Sequence, residues 1–241
     1  MVDIRCPSYR IFFMVLCHLL NRGVDKRKIF LDDKDRFRFI HDLFEFNDTA
    51  PANPNVRRLN VGHPMSNIEG HRETKVAKKR KLLVQLHAFC LMPNHYHLLV
   101  SPVVEDGIPR FMKKLNMGYA KYFNERYKRV GALFQGKYKS VPITTDRHFL
   151  WIPYYLHFNP LDLNFPEWRT REIKNKSKAL EYLKTYRWSS HLDYLGIKNF
   201  PSLTQREFLL DLFEGEKGYA ESLNETLEGF SAEEAEGKTL E

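Results

Sequence analysis

The sequence predicts an α+β fold: a ferredoxin-like antiparallel sheet with packed helices, plus a C-terminal helical extension. Three observations carry this. The apolar periodicity switches along the chain in the order strand, helix, strand, strand, helix, strand. Two apolar runs, residues 82–91 and 95–101, are separated by Met92-Pro93-Asn94, turn chemistry that predicts a hairpin. The 241 residues are 43% apolar and 14% aromatic, enough for a core and too apolar for global disorder.

The elements follow in order. Residues 9–20 are dominated by Ile, Phe, Val and Leu and stop short of Gly23, which predicts a buried strand. A basic start and an apolar run give this stretch the look of a signal peptide. However, His18 interrupts the run, and Asn21-Arg22-Gly23 stands where a small-residue cleavage site is required. The run is also too short to span a bilayer, so no membrane partner is expected. Asp32-Asp33 then precede Phe37, Phe39, Ile40, Leu43 and Phe44, whose spacing predicts an amphipathic helix with an acidic cap.

Residues 47–80 hold Pro51, Pro54, Gly62, Pro64 and Gly70 and the basic run 75–81, and they predict a long loop insertion. After the hairpin, Ile108, Phe111, Met112, Leu115, Tyr119, Tyr122 and Phe123 line one side of a helix over 108–127. Residues 131–143 read as a short basic strand or ribbon, and 146–160 as a further helix that Pro160 ends. Residues 176–241 read as a peripheral helical extension with an acidic tail. The expected division is therefore a main domain over 1–175 and an extension over 176–241.

Charge is distributed unevenly. The net charge is +8, yet residues 201–241 hold 3 basic and 11 acidic side chains, against 35 and 19 in the first 200. A basic, aromatic-rich body with an acidic end points to a polyanionic partner. Cys6, Cys17 and Cys90 have no paired spacing, which excludes a disulfide framework and fits a reducing, cytoplasmic compartment.

Three groups of residues can carry chemistry. His95 and His97 alternate with Tyr96 in a strand, so both imidazoles point to one face, about 7 Å apart along the strand. They are either a divalent-metal pair or two partly exposed strand histidines. Tyr155 and Asn159 lie one helical turn apart on one face. They are either a nucleophile with a nearby oxygen ligand, or a core aromatic with a C-cap. From residue 113 to 139, Lys113, Lys121, Arg126, Arg129, Lys137 and Lys139 alternate with Tyr119, Tyr122, Phe123, Tyr127, Phe134 and Tyr138. Cations neutralise phosphates and exposed aromatics stack on unpaired bases. The same pattern also suits an ordinary helix with a basic outer side.

Taken together, these residues resemble one family. The run Leu91-Met92-Pro93-Asn94-His95-Tyr96-His97-Leu98-Leu99 resembles the His-hydrophobic-His signature of single-tyrosine transposases, more specifically REP-associated tyrosine transposases and their insertion-sequence relatives. Asn21-Arg22-Gly23, the segments 30–35, 122–127, 131–140 and 155–160, and Tyr186-Arg187-Trp188-Ser189-Ser190 fall in the matching order, so the resemblance covers roughly residues 9–196.

The resemblance implies an HUH endonuclease fold and a DNA strand transferase dependent on Mg²⁺ or Mn²⁺. It assigns His95, His97 and Asn159 as metal ligands and Tyr155 as the nucleophile. Arg22 joins the basic residues above as a DNA contact. The tyrosine attacks a phosphate of single-stranded DNA at a hairpin-flanked site, forms a 5′-phosphotyrosine link and frees a 3′-OH, and strands rejoin later without hydrolysis. The implied oligomer is a monomer or a homodimer.

Three features depart from the family pattern. Tyr96 stands between the histidines, residues 47–80 are long, and Pro153 lies inside the tyrosine helix, where it predicts a kink and leaves the adjacent Tyr154 as second choice. Two other readings share the fold: a hairpin DNA- or RNA-binding protein with a weak site, and a replication-initiator-type nickase.

Overall fold

The structure is a computed structural model that describes residues 16–51 and 80–229. Strands β1 (Cys17–Arg22), β2 (Val84–Met92), β3 (His95–Pro102) and β4 (Lys139–Pro142) form one antiparallel sheet in the order β2-β3-β1-β4. Helix α1 (Asp33–Glu45) connects β1 to β2, and α2 (Gly107–Arg126) connects β3 to β4. This is the expected ferredoxin-like arrangement. The hairpin turns on Pro93 and Asn94, with Met92 opposite His95. The part of the first expected strand before residue 16, most of the 47–80 insertion and the acidic tail past residue 229 lie outside the described residues, as does Cys6. Cys17 and Cys90 are buried free thiols.

Pairing and alternation divide the sheet into two faces. One carries Leu19, Tyr96, Leu98 and Val100. It shares a core with Phe39, Ile40 and Leu43 of α1 and with Phe111, Met112, Leu115 and Tyr119 of α2. Asp32 caps α1 by accepting from the Asp35 amide, as the acidic start predicts. Asp35, fully buried, ties the two helices together. Its carboxylate accepts from Tyr122 Oη (3.1 Å), Tyr127 Oη (2.8 Å), Arg126 Nη1 (2.6 Å) and the Leu31 amide (2.8 Å).

The opposite face carries His18, Leu20, Arg22, His95, His97 and Leu99. Helix α3 (Asp146–Phe158) covers it, and Ile152, Tyr155, Leu156 and Phe158 share a second core with Ala88 and Leu99. The helix continues through Pro153, and a 3₁₀ segment, Asn159–Leu163, carries the chain on past Pro160.

Two expectations need correction. The strand predicted over 131–143 is confined to Lys139–Pro142. Gly131 takes a positive φ of 88°, and the segment before β4 turns, touching β1 through an isolated bridge between Gly23 and Phe134. Glycine permits such a conformation at the expense of a ladder.

The C-terminal region, with α4 (Lys176–Thr185), α5 (His191–Tyr194), α6 (Glu207–Leu212) and α7 (Gly215–Glu228), is not peripheral. It closes the outer edge of β2. Leu91 N donates to Trp188 O (2.8 Å), Ser190 N to Phe89 O (3.0 Å) and Gln205 N to Leu86 O (2.8 Å). Phe89 N donates to Ser190 Oγ (3.0 Å) and Leu86 N to Gln205 Oε1 (2.9 Å). A hydrophobic edge strand offers unpaired amides and carbonyls, and covering them is the physical reason this region packs down. The same region holds α3 in place. His157 Nε2 bonds Ser190 Oγ (2.8 Å), and Tyr219 Oη bonds both His157 Nδ1 and His191 Nδ1 (2.8 Å each). No described helix is long and apolar enough to cross a membrane.

Candidate active site

The hairpin tip is fixed before any chemistry is considered. Gly23 N donates to Asn94 O (2.8 Å), and a Cβ on Gly23 would collide with Arg27 O, so glycine allows the turn after β1 to fold onto the tip. From that turn, Lys26 O accepts from Asn94 Nδ2 (3.2 Å), which leaves Asn94 Oδ1 facing His95 Nδ1 at 2.6 Å. An amide oxygen only accepts, so His95 carries a proton on Nδ1, which leaves Nε2 as the nitrogen able to offer a lone pair.

His97 lies two residues on, its ring centroid 4.8 Å from that of His95 and the planes nearly perpendicular. Burial holds its pKa well below the usual histidine value, with His95, His18, Arg169 and Arg22 adding repulsion, so the ring is neutral. His97 Nε2 is buried without a hydrogen bond among the described residues, while Nδ1 meets His18 Nε2 at 2.8 Å.

Helix α3 brings Tyr155 to this pair. Its ring stands edge-on to His97 with centroids 5.7 Å apart, and to His18 at 5.8 Å. Tyr154 is directed elsewhere, its hydroxyl bonded to Ser222 of α7. Asn159 ends α3 as its C-cap. Its Nδ2 donates to Tyr155 O (2.6 Å), which turns Oδ1 toward Arg169 Nη2 (3.3 Å). Arg169 is clamped by Asp162 through Nε (2.9 Å) and Nη2 (2.7 Å), and its guanidinium lies 5.6 Å from the Tyr155 ring centroid. Burial alone would lower the Arg169 pKa, but the bonds to Asp162 and Tyr155 raise it on balance, so the group is a permanent cation beside the tyrosine.

The residues present suit a divalent cation in part. Two imidazoles on one face, that of His97 with a buried Nε2 free of hydrogen bonds among the described residues, are ligand chemistry. An amide oxygen would have to complete the set, since no group of three His, Cys, Asp or Glu side chains among the described residues is arranged to hold a metal.

The basic residues separate into two sets. Arg22 pairs with His95, and Lys139 pairs with Leu20, so both stand on the histidine face, with the exposed Lys137 nearby in sequence. Lys113 and Lys121 lie on α2, across the sheet from the histidines, and Lys121 pairs with Glu125 (3.5 Å). Arg126 is bound to Asp32 and Asp35 at 2.6 Å each, and Arg129 to Asn124 (3.3 Å). Most of the basic helix therefore faces away from the site or serves the α1–α2 contact. His18 and Arg169 were missed. A histidine inside an otherwise apolar strand was the available signal for the first. Nothing in the irregular sequence around Arg169 marked the second.

Residues 68–159, which include His95, His97, Tyr155 and Asn159, match the family model described as "Transposase IS200 like". Over those residues the chain is similar to IS200-like transposases. No curated protein sequence matches the chain significantly. Among solved structures it is similar to one described as "Structure of the REP associates tyrosine transposase bound to a REP hairpin", at 10% identity and a TM-score of 0.44, over 83% of this chain and 90% of that one. The IS200-like stretch begins within the 47–80 insertion and ends at the C-cap of the tyrosine helix. Arg169, the edge-closing residues and α7 all lie beyond it.

Proposed function

We propose that the protein is a single-stranded DNA transposase that cuts and rejoins DNA at hairpin-flanked sites, with Tyr155 as nucleophile and a divalent metal, Mg²⁺ or Mn²⁺, held by His95, His97 and the Asn159 amide oxygen. The observation that carries this is the Tyr155 ring against His97 in one chain. It supports a site complete within a monomer.

In this reading the Tyr155 phenolic oxygen attacks a backbone phosphorus and forms a P–O bond as the bond from phosphorus to the 3′ oxygen breaks. The 5′-phosphotyrosine stays on the protein, and the phenol's proton is balanced by the one the released 3′-OH gains. One phosphodiester replaces another, so a later attack by a 3′-OH reverses the step without hydrolysis. A bound cation supplies polarisation of the phosphoryl oxygen. Arg169 holds positive charge beside the attacking oxygen, and Arg22 and Lys139 bring the DNA backbone to the histidine face.

The test uses the full chain with labelled single-stranded hairpin DNA and Mn²⁺, followed by a denaturing gel. A covalent adduct is expected, and it is lost in Tyr155→Phe. An adduct that survives Tyr155→Phe refutes the nucleophile assignment. A second reading, a binding module of the same fold, is favoured by the burial of Tyr155, which is only 4% exposed. Tight hairpin binding without an adduct on any substrate would select it.

A further inference from the structure

We propose that His18 is a positioning residue for the histidine pair: it accepts the Nδ1 proton of His97 and so holds that ring in the tautomer whose Nε2 bears a lone pair toward the site. The inference deepens the proposed function and rests on its reading of His95 and His97 as ligands.

The geometry is that of a directed bond. His18 lies on β1, two residues before Leu20, which pairs with His97, so alternation places both imidazoles on one face. The two nitrogens are 2.8 Å apart, the ring planes differ by 17° and the centroids are 5.0 Å apart. That separation is close to the N···N distance extended by both ring radii, so the rings meet edge to edge in nearly one plane rather than face to face. A hydrogen bond in line with the donor is the strongest geometry available to them.

Both rings are fully buried, and nitrogens 2.8 Å apart have room for one proton between them. One proton is therefore shared between the two facing nitrogens, and the direction of the bond fixes both tautomers. If His18 donates, the single proton of His97 lies on Nε2 and that nitrogen cannot bind a cation. If His97 donates, its Nε2 is a ligand and His18 keeps its own proton on Nδ1.

Neither His97 Nε2 nor His18 Nδ1 has a hydrogen-bond partner among the described residues. The choice is thus left to whatever occupies the site, and a cation at His97 Nε2 selects the second state. Ligating histidines are commonly oriented by such an acceptor, most often a carboxylate or a carbonyl. An imidazole does the same in this fully buried position without placing an unpaired charge in the core. His18 cannot itself be a ligand alongside His97 Nε2, because its accepting nitrogen faces His97 Nδ1 on the other side of that ring.

Three proteins test this: the full chain, His18→Phe, which keeps a ring and removes the acceptor, and His18→Gln, which restores an acceptor. Nitrogen-15 spectra of labelled histidines report the His97 tautomer directly, and Mn²⁺ affinity is measured by titration without DNA. The wild type should show His97 protonated at Nδ1 when a diamagnetic Mg²⁺ is bound. His18→Phe should weaken Mn²⁺ binding by about 10–100-fold, and His18→Gln should recover most of it. A folded His18→Phe with wild-type Mn²⁺ affinity overturns the proposal and leaves the ligand reading intact. Failure of the wild type to bind Mn²⁺ overturns the ligand reading and this inference with it. If His18→Phe does not fold, the wild-type spectrum decides alone: Mg²⁺-loaded His97 protonated at Nε2 refutes the inference.

Discussion

Acid should unfold this protein abruptly, and the cause lies in its buried histidines. Burial lowers the pKa of His18 and His191 to about 3 and of His87 to about 4, and those of His97 and His157 well below the ordinary value of 6.5. Above pH 6.5 neither the folded nor the unfolded chain protonates these rings. Below it the unfolded chain takes up protons that the folded chain refuses, so stability falls as pH falls.

Each such histidine costs about 1.4 kcal/mol per pH unit once its unfolded form is protonated. Five together approach about 7 kcal/mol per unit, against a total stability of about 5–15 kcal/mol for a typical domain. Unfolding should therefore be complete between about pH 6 and pH 4, before most carboxylates titrate. Urea midpoints measured without added metal from pH 8 to pH 5 check this. The midpoint should hold above pH 7 and drop steeply below pH 6. A midpoint unchanged between pH 7.5 and pH 5.5 would show that these rings are protonated or solvated in the folded chain and would refute the reasoning.

Three further outcomes are expected. Asp35→Ala removes a buried carboxylate that accepts four hydrogen bonds and leaves Arg126 with Asp32 and the Tyr122 hydroxyl. It should cost about 3–5 kcal/mol in urea unfolding, and a loss below 1 kcal/mol would contradict the assigned network. Tyr154→Phe removes the bond to Ser222 and should lower stability by about 1 kcal/mol while leaving adduct formation with hairpin DNA intact; loss of the adduct would implicate Tyr154 in the chemistry. Lys139→Ala should weaken single-stranded DNA binding and make its salt slope shallower, whereas Lys113→Ala, on the far side of the sheet, should change neither. Equal effects of the two would place DNA on both faces.

The strand and helix order was readable because local rules and tertiary packing agree there. The Pro93-Asn94 turn, the acidic cap at Asp32 and the apolar stripe from Phe111 to Phe123 all stand where their chemistry requires. The alternation that puts His95 and His97 on one face was readable for the same reason, whereas a link between Tyr155 and those histidines came only from the family resemblance.

What escaped was set by partners distant in sequence. Arg126 looked like a phosphate contact because its carboxylates, Asp32 and Asp35, lie some ninety positions earlier. Trp188-Ser189-Ser190 looked like part of a detached extension because its role, closing the edge of β2, needs a strand a hundred residues upstream. His18 was visible as a break in an apolar run, yet its meaning depended on the register between β1 and β3. Pro153 was expected to disturb the tyrosine helix, and the helix passes through it, buried among its neighbours.

The closure of β2 by residues 186–205 also imposes an order on synthesis. While the first 185 residues leave the ribosome, the hairpin that carries both histidines has a bare outer edge, and the helix bearing Tyr155 has neither Ser190 nor Tyr219 to bond. At translation speeds of about 5–20 residues per second, that nascent state lasts for seconds. The site is completed only after residues 186–219 have been made. A ribosome that stops early therefore releases a product with an open, adhesive strand and an unanchored nucleophile helix.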